Sequence, residues 1–131
     1  MKRTTLLHAE LSEVIARLGH GDLLVIGDAG LPIPDGPRRI DLAVSANVPR
    51  FHEVLAAVLA EMQVESAFIA DEIVGANPSV HADLRDRLGH TPVTWVSHEA
   101  FKALTRDARA IVRTGEFSPY ANVILRAGVV F

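Results

Sequence analysis

The stretch that decides the fold is residues 11–36, LSEVIARLGHGDLLVIGDAGLPIPDG. Its first apolar residues recur at helical spacing, which predicts an amphipathic helix that ends at Gly19. Leu23 to Ile26 is a continuous leucine and β-branched run, which is typical of a buried strand. The remaining residues form a loop rich in glycine and proline, and such a loop can line a site. These residues therefore predict a helix, a buried strand and a rigid loop in succession.

The alternation of strands and helices continues to the carboxyl terminus. Further strands are predicted at 39–44, 67–70, 93–96, 110–112 and 122–125, with 129–131 belonging to this last strand or to another. Helices are predicted to begin at Pro49, after an Asn77 cap and after a Ser97 cap. This order predicts one three-layer α/β/α domain over residues 1–131, with a largely parallel central sheet.

The composition excludes several classes of function. Of the 131 residues 49% are hydrophobic but only 5% aromatic, which fits either a buried aliphatic sheet or a surface covered by other subunits. The net charge of −3 and the scattered basic residues argue against nucleic acid as a partner. The absence of cysteine excludes disulfides and thiolate sites. We find no signal peptide and no apolar run of about 18 residues that could span a membrane, so we expect a soluble intracellular domain.

Two candidate site residues flank the first strand. His20 lies between two glycines, and an imidazole with an ordinary pKa of about 6.5 can donate or accept a proton near neutral pH. An exposed histidine without a role is the alternative. Asp28 directly follows the strand and can bind two sugar hydroxyls or orient His20. It can equally be an Asx-turn residue that starts the loop.

Three further candidates lie in the second half of the chain. His98 follows the capping Ser97, where the positive helix end favours a neutral imidazole; a solvated side chain is the alternative. Tyr120 and Asn122 are two residues apart, so an extended strand would project them from one face. A phenol and an amide suit a neutral polyol, but a Tyr that caps the core and a turn Asn are equally consistent. For Glu116 we favour a structural role over a buried acid.

Other motifs are incomplete. The glycines at 27 and 30 lack the dinucleotide-binding fingerprint and its helix, and the chain has no phosphate-binding loop. His81 with Asp83 and His8 with Glu10 are pairs of metal-ligand types without a convergent third ligand. The residues therefore predict neither a metal nor a nucleotide cofactor.

Four segments occur together in one order: GHGD at 19–22, DAGLPIPDG at 28–36, SHEAFK at 97–102 and TGEFSPYAN at 114–122. With the chain length and the ending AGVVF at 127–131, they resemble the D-ribose pyranase family (RbsD-type) over nearly the whole sequence. The related L-fucose mutarotases share the first segment and part of the last. They usually lack the Gly-Leu-Pro loop and the Ser-His-Glu segment, which places this chain on the ribose side.

The resemblance implies an RbsD-like fold and an isomerase that interconverts the β-pyranose and β-furanose forms of D-ribose without a cofactor or metal. It implies that His20 is the proton donor. It also implies that Asp28, His98, Tyr120, Asn122 and Ala121, the last through its backbone, bind the sugar. A cytoplasmic location and a ring-like homo-oligomer, a decamer or octamer with sites at subunit contacts, are further expectations.

Two other functions remain open at this point. A mutarotase for L-fucose or another monosaccharide would use the same proton transfers in a pocket of different shape. A sugar-binding protein without catalysis would need Asp28, Tyr120 and Asn122 but no titrating His20.

Overall fold

The structure, a computed structural model, describes residues 1–131. Its strands are β1 Leu23–Gly27, β2 Arg38–Asp41, β3 Val64–Ala70, β4 Val93–Val96, β5 Ala110–Arg113 and β6 Val123–Ala127. Its helices are α1 Ala9–Arg17, α2 Phe51–Leu59, α3 Ile73–Ala76, α4 Pro78–Leu88 and α5 His98–Leu104, followed by a 3₁₀ turn at Thr105–Asp107. No helix is both long and apolar enough to cross a membrane.

The six strands form one sheet in the order β2-β5-β1-β6-β3-β4. The pairs β1–β5, β2–β5 and β3–β4 are parallel, whereas β6 runs antiparallel to both β1 and β3. The strands β1 to β5 therefore all end at one edge of the sheet, which we call the carboxyl edge, and β6 begins there. The opposite edge, where β1 to β5 begin and β6 ends, is the amino edge.

Alternating side chains of β1 divide the core into two parts. Leu24 and Ile26 belong to a large apolar cluster with residues of α1, α2 and α4. Val25 points to the other face, where it packs in a smaller cluster with Phe101 of α5 and Leu31 of the Gly/Pro loop. Helices thus cover both faces of the sheet. The predicted α/β fold is confirmed, with β6 as the antiparallel element of a largely parallel sheet.

Several predicted element boundaries are wrong. The strand predicted at 67–70 begins earlier, at Val64, and the strand predicted at 122–125 covers Val123–Ala127. Pro49 does not begin a helix: α2 begins at Phe51, and the Pro49 carbonyl accepts a hydrogen bond from Gly115 N at 2.8 Å. Pro49 therefore belongs to a connection that packs beside the end of β5. The strand β2 ends before its predicted limit at Val44, because Val44 N donates to Val48 O at 2.9 Å and the chain turns there.

The carboxyl terminus and the region after β3 also differ from the prediction. Residues 129–131 form no strand, and the side chains of Val130 and Phe131 are fully exposed. The short helix α3 was not predicted, because its four residues are too few to carry a helical repeat.

Candidate active site

The carboxyl edge gathers most of the predicted site residues. Asp28 directly follows β1, His98 begins α5 two residues after β4, and Asn122 directly precedes β6. Because β6 is antiparallel, its first residue Val123 pairs with Ile26 near the end of β1. Ligands of α/β sheets commonly bind beyond this edge. The sheet order therefore brings together segments that are far apart in the chain.

Asn122 is joined directly to Asp28. The Asp28 N–H donates to Asn122 Oδ1 at 2.8 Å, although 94 positions separate the two residues. Gly27 permits this approach, since a Cβ there would lie 3.0 Å from Asn122 Oδ1 and 2.6 Å from Leu31 Cδ2. Asn122 is 1% exposed, and its Nδ2 has no hydrogen-bond partner within the protomer. The Asn122 amide therefore lies beside the Asp28 carboxyl and helps to lower its pKa against the rise caused by burial.

The Asp28 carboxylate combines a turn with a partly buried position. Its Oδ1 accepts a hydrogen bond from Gly30 N at 2.8 Å, which is the predicted Asx-turn. Burial raises the pKa of Asp28, and the Gly30 N–H opposes that rise. Asp28 also lines a cavity of about 420 Å³. The Asx-turn is therefore confirmed. His98, Tyr120 and Asn122 do not line this cavity, so the binding of a sugar by Asp28 stays a prediction.

His98 and Tyr120 lie against each other. Their ring centroids are 5.1 Å apart at an interplanar angle of 83°, an edge-to-face arrangement. The backbone N–H of His98 donates to both carboxylate oxygens of Glu72, at 3.0 and 2.9 Å. A hydrogen bond with Asp71 lowers the pKa of Glu72, so this acceptor stays ionised. His98 Nδ1 is buried and has no partner.

The predicted extended geometry of Tyr120 and Asn122 is wrong. Tyr120 has a φ of 57°, in the left-handed region, and Asn122 N donates to Tyr120 O at 2.9 Å. The two residues therefore lie in a tight turn before β6, with the phenol ring on His98 and the amide on Asp28. Ala121 between them has its side chain in the main core. The whole residue, backbone included, is 0% exposed within the protomer, so a sugar contact through the Ala121 backbone stays a prediction.

His20 is not part of this cluster within one protomer. It precedes β1 at the amino edge, and β1 is five residues long, so its strand axis separates His20 from Asp28 by about 16 Å. The exposed His20 Nε2 lies 2.9 Å from Glu65 Oε2, and Arg126 Nε lies 3.9 Å from the same oxygen. The suggestion that Asp28 orients His20 is therefore wrong within a protomer. Glu65 occupies that position.

Sequence reasoning missed Glu65 and Glu72. Glu65 lies near the start of β3, at the amino edge of the sheet. Glu72 lies just past the end of β3, at the carboxyl edge. The signal that could have identified them is the presence of acidic residues at both ends of the apolar run 67–70, with Glu65 before it and Asp71 and Glu72 after it. Their partners, His20 and His98, come from distant segments, and no local pattern predicts such pairs.

Known proteins resemble this chain over nearly its whole length. The model of the RbsD / FucU transport protein family matches residues 1–130. A protein of Paracidovorax citrulli (strain AAC00-1) named D-ribose pyranase is 63% identical over 131 residues, 100% of both chains. Bacillus subtilis RbsD complexed with D-ribose is 45% identical, with a TM-score of 0.97 over 100% of both chains. The Streptococcus pneumoniae fucose mutarotase in complex with L-fucose is 29% identical, with a TM-score of 0.82 over 95% of this chain and 94% of that one.

Proposed function

The chain belongs to the RbsD / FucU family, and we propose that it is a D-ribose pyranase, an isomerase that interconverts the β-pyranose and β-furanose forms of D-ribose. The observation that carries this conclusion is the full-length likeness, at 63% identity, to a protein named D-ribose pyranase. The likeness to RbsD in complex with D-ribose supports the same substrate.

The reaction breaks and forms one C–O bond, and proton transfer is the only chemistry that the protein must supply. Opening the pyranose breaks the bond between C1 and the ring oxygen, while that oxygen gains a proton and the anomeric hydroxyl loses one. The open aldehyde is then attacked by its 4-hydroxyl, which loses a proton as the carbonyl oxygen gains one. General acid–base catalysis typically contributes about 10²–10⁴-fold. A positioned imidazole and a set of hydroxyl-binding groups are sufficient for this chemistry.

The carboxyl edge supplies the hydroxyl-binding groups. Asp28 offers a carboxylate oxygen that can accept from a hydroxyl, Tyr120 offers a phenol that donates and accepts, and the Ala121 backbone is adjacent. Asn122 Nδ2 and His98 Nδ1 have unused hydrogen-bonding capacity. Since an unpaired buried polar group costs about 1–3 kcal/mol, pairing these atoms with sugar hydroxyls would favour binding. The groups are suited to an uncharged polyol.

His20 acts as the proton donor in the site of a neighbouring copy. Within its own protomer it lies at the amino edge, at the other end of β1 from Asp28. A contact between the amino edge of one protomer and the carboxyl edge of the next joins the imidazole to the sugar-binding groups. Because the two edges are different surfaces, this contact is head-to-tail, and head-to-tail contacts that close form rings. A ring-like homo-oligomer, a decamer or octamer as the family resemblance implies, is compatible with this contact.

Exposed apolar side chains at both edges support this assembly. Val130 and Phe131 follow β6 at the amino edge and are 86% and 101% exposed. Phe117, which borders the cavity beside Asp28, is 69% exposed. Burial of apolar surface contributes about 25 cal/mol per Å². Covering these side chains between copies therefore favours the contact that brings His20 to the neighbouring pocket.

Glu65 orients the catalytic imidazole. Its carboxylate accepts from His20 Nε2 at 2.9 Å, which leaves Nδ1 as the nitrogen that exchanges a proton with the sugar. A hydrogen bond at one ring nitrogen fixes the tautomer and the ring plane. The 2.9 Å contact between His20 Nε2 and Glu65 Oε2 supports this role for Glu65.

Mutarotation of L-fucose is the second candidate, and it has less support. The fucose mutarotase is 29% identical to this chain, against 63% for the D-ribose pyranase.

A cytoplasmic location follows from the expected role in the use of imported ribose, as the family resemblance implies.

The proposed function is tested by saturation-transfer NMR on D-ribose with the purified protein. The wild-type protein should accelerate exchange between pyranose and furanose signals, and more strongly than it accelerates anomer exchange in L-fucose. His20→Ala should slow ribose exchange by about 10²-fold while ribose affinity changes little. Ribose binding without accelerated exchange in the wild-type protein would instead support a non-catalytic sugar-binding protein, and unchanged exchange in His20→Ala would refute the role of His20.

A further inference from the structure

Asn77 has a buried side chain that does not serve the helix it precedes. It directly precedes α4 and is 8% exposed, but it makes no side-chain hydrogen bond to the helix backbone. Its Nδ2 instead donates to Ser118 Oγ at 2.9 Å and to the Pro119 carbonyl at 2.8 Å. The predicted Asn77 cap is therefore wrong for the side chain, because both amide hydrogens are used by a loop 41 and 42 positions away.

The same loop is held from a second helix. Ser118 Oγ donates to Glu116 Oε2 at 2.7 Å, and Glu116 Oε1 accepts from Phe51 N, the first residue of α2, at 3.1 Å. Glu116 is 3% exposed. A continuous set of hydrogen bonds thus runs from α2 through Glu116 and Ser118 to Asn77 before α4. Two helices fix the residues that immediately precede Tyr120.

Tyr120 requires such support. Its φ of 57° is a conformation that residues other than glycine adopt at a cost in free energy, and it persists only where the surroundings hold it. The peptide that joins Pro119 to Tyr120 carries the carbonyl to which Asn77 donates. The ring of Tyr120 meanwhile rests on His98, at 5.1 Å between centroids. The orientation of the phenol therefore depends on where the Pro119 peptide is held.

We propose that Asn77 is a positioning residue for the sugar pocket. Its amide supplies two donors from one nitrogen, which neither a serine nor an aspartate can do. These donors hold Ser118 and Pro119 so that Tyr120 keeps its left-handed conformation and its place on His98. The inference rests on the proposed function, since it assumes that Tyr120 binds the sugar.

The test is the variant Asn77→Ser, because serine retains the ability to cap α4 but cannot reach the loop with two donors. The dissociation constant for D-ribose, measured by titration calorimetry, should rise about five- to tenfold. Exchange at saturating ribose should fall less than affinity does. Ser79→Ala, at an exposed position in the same helix, is the matched control and should leave the affinity unchanged.

A double-mutant cycle separates positioning from general destabilisation. In a Tyr120→Phe background, Asn77→Ser should weaken ribose binding by less than about twofold, because the hydroxyl it positions is already absent. An equal loss in both backgrounds, or wild-type affinity in folded Asn77→Ser, would overturn the inference. If Asn77→Ser does not fold, the ribose affinity and the double-mutant cycle with Tyr120→Phe are measured for Ser118→Ala instead, and the same outcomes apply. A wild-type protein that binds ribose without accelerating exchange would refute the proposed function alone, since the affinity cycle would still test Asn77.

Discussion

A site shared between copies can be tested by mixing two inactive variants. His20→Ala removes the imidazole at the amino edge and leaves the carboxyl edge intact. Tyr120→Ala removes the phenol at the carboxyl edge and leaves His20 intact. Because β1, five residues long, separates the two edges by about 16 Å, no protomer can use its own His20 and its own Tyr120 on one sugar. If both groups act on one sugar, as proposed, they come from two chains.

The expected recovery of activity follows from how often the two variants are neighbours in a mixed assembly. In randomly mixed assemblies with equal amounts of each variant, half of the carboxyl edges come from His20→Ala chains and are intact. Half of the amino edges that face them come from Tyr120→Ala chains and carry an imidazole. About one quarter of all sites therefore regain both groups, and the mixture should recover about one quarter of the wild-type exchange rate per site. Sites built within single protomers would recover none.

The assay is saturation-transfer NMR on D-ribose after co-expression of the two variants with different affinity tags. Sequential purification on both tags selects assemblies that contain both chains. Each variant, co-expressed with itself under the two tags and purified identically, provides the baseline. Exchange in the doubly purified assemblies that does not exceed the mean of the two baselines would refute the shared site.

Two further predictions concern the two edges separately. Burial raises the pKa of Asp28, so ionising it costs stability: this cost is absent below the unfolded pKa and grows as the pH rises through the folded pKa. Asp28→Asn should therefore raise the melting temperature near neutral pH, and should raise it by less at about pH 4. Ribose binding should weaken in the same variant. A rise in melting temperature that is larger at about pH 4 than near neutral pH would contradict the expected sign. Glu65→Gln should slow ribose exchange by about tenfold with unchanged ribose affinity, since only the hold on His20 is altered; unchanged exchange in this variant would exclude the orienting role.

Asn122 illustrates how the sequence and the structure can place one residue near Asp28 for different reasons. Its spacing from Tyr120 suggested one face of an extended strand, whereas Tyr120 has a φ of 57° and the pair lies in a turn. The amide reaches the site because Asp28 N donates to it and because Gly27 leaves the space that a Cβ would fill. The residue type predicted the chemistry, and the packing of Gly27 determined the geometry.

The sequence by itself determined the elements and the kinds of side chain available. The strand predicted at Val93–Val96 and the predicted start of a helix directly after Asn77 match the structure, because strand periodicity and the preference of proline for the first helical turn act over a few residues. The position of the Gly/Pro loop after β1 follows from the same local signals. Candidate residues at the ends of these elements could therefore be named without coordinates.

Tertiary structure alone decided which of these residues meet. The insertion of β6 between β1 and β3 carries Asn122 to Asp28, and the ladder of β1 leaves His20 at the other edge beside Glu65. Asn77 turns from its own helix to the loop before Tyr120 for the same reason. Strand order and long-range hydrogen bonds depend on how the whole core packs. Residues that are neighbours in the chain therefore do not predict them.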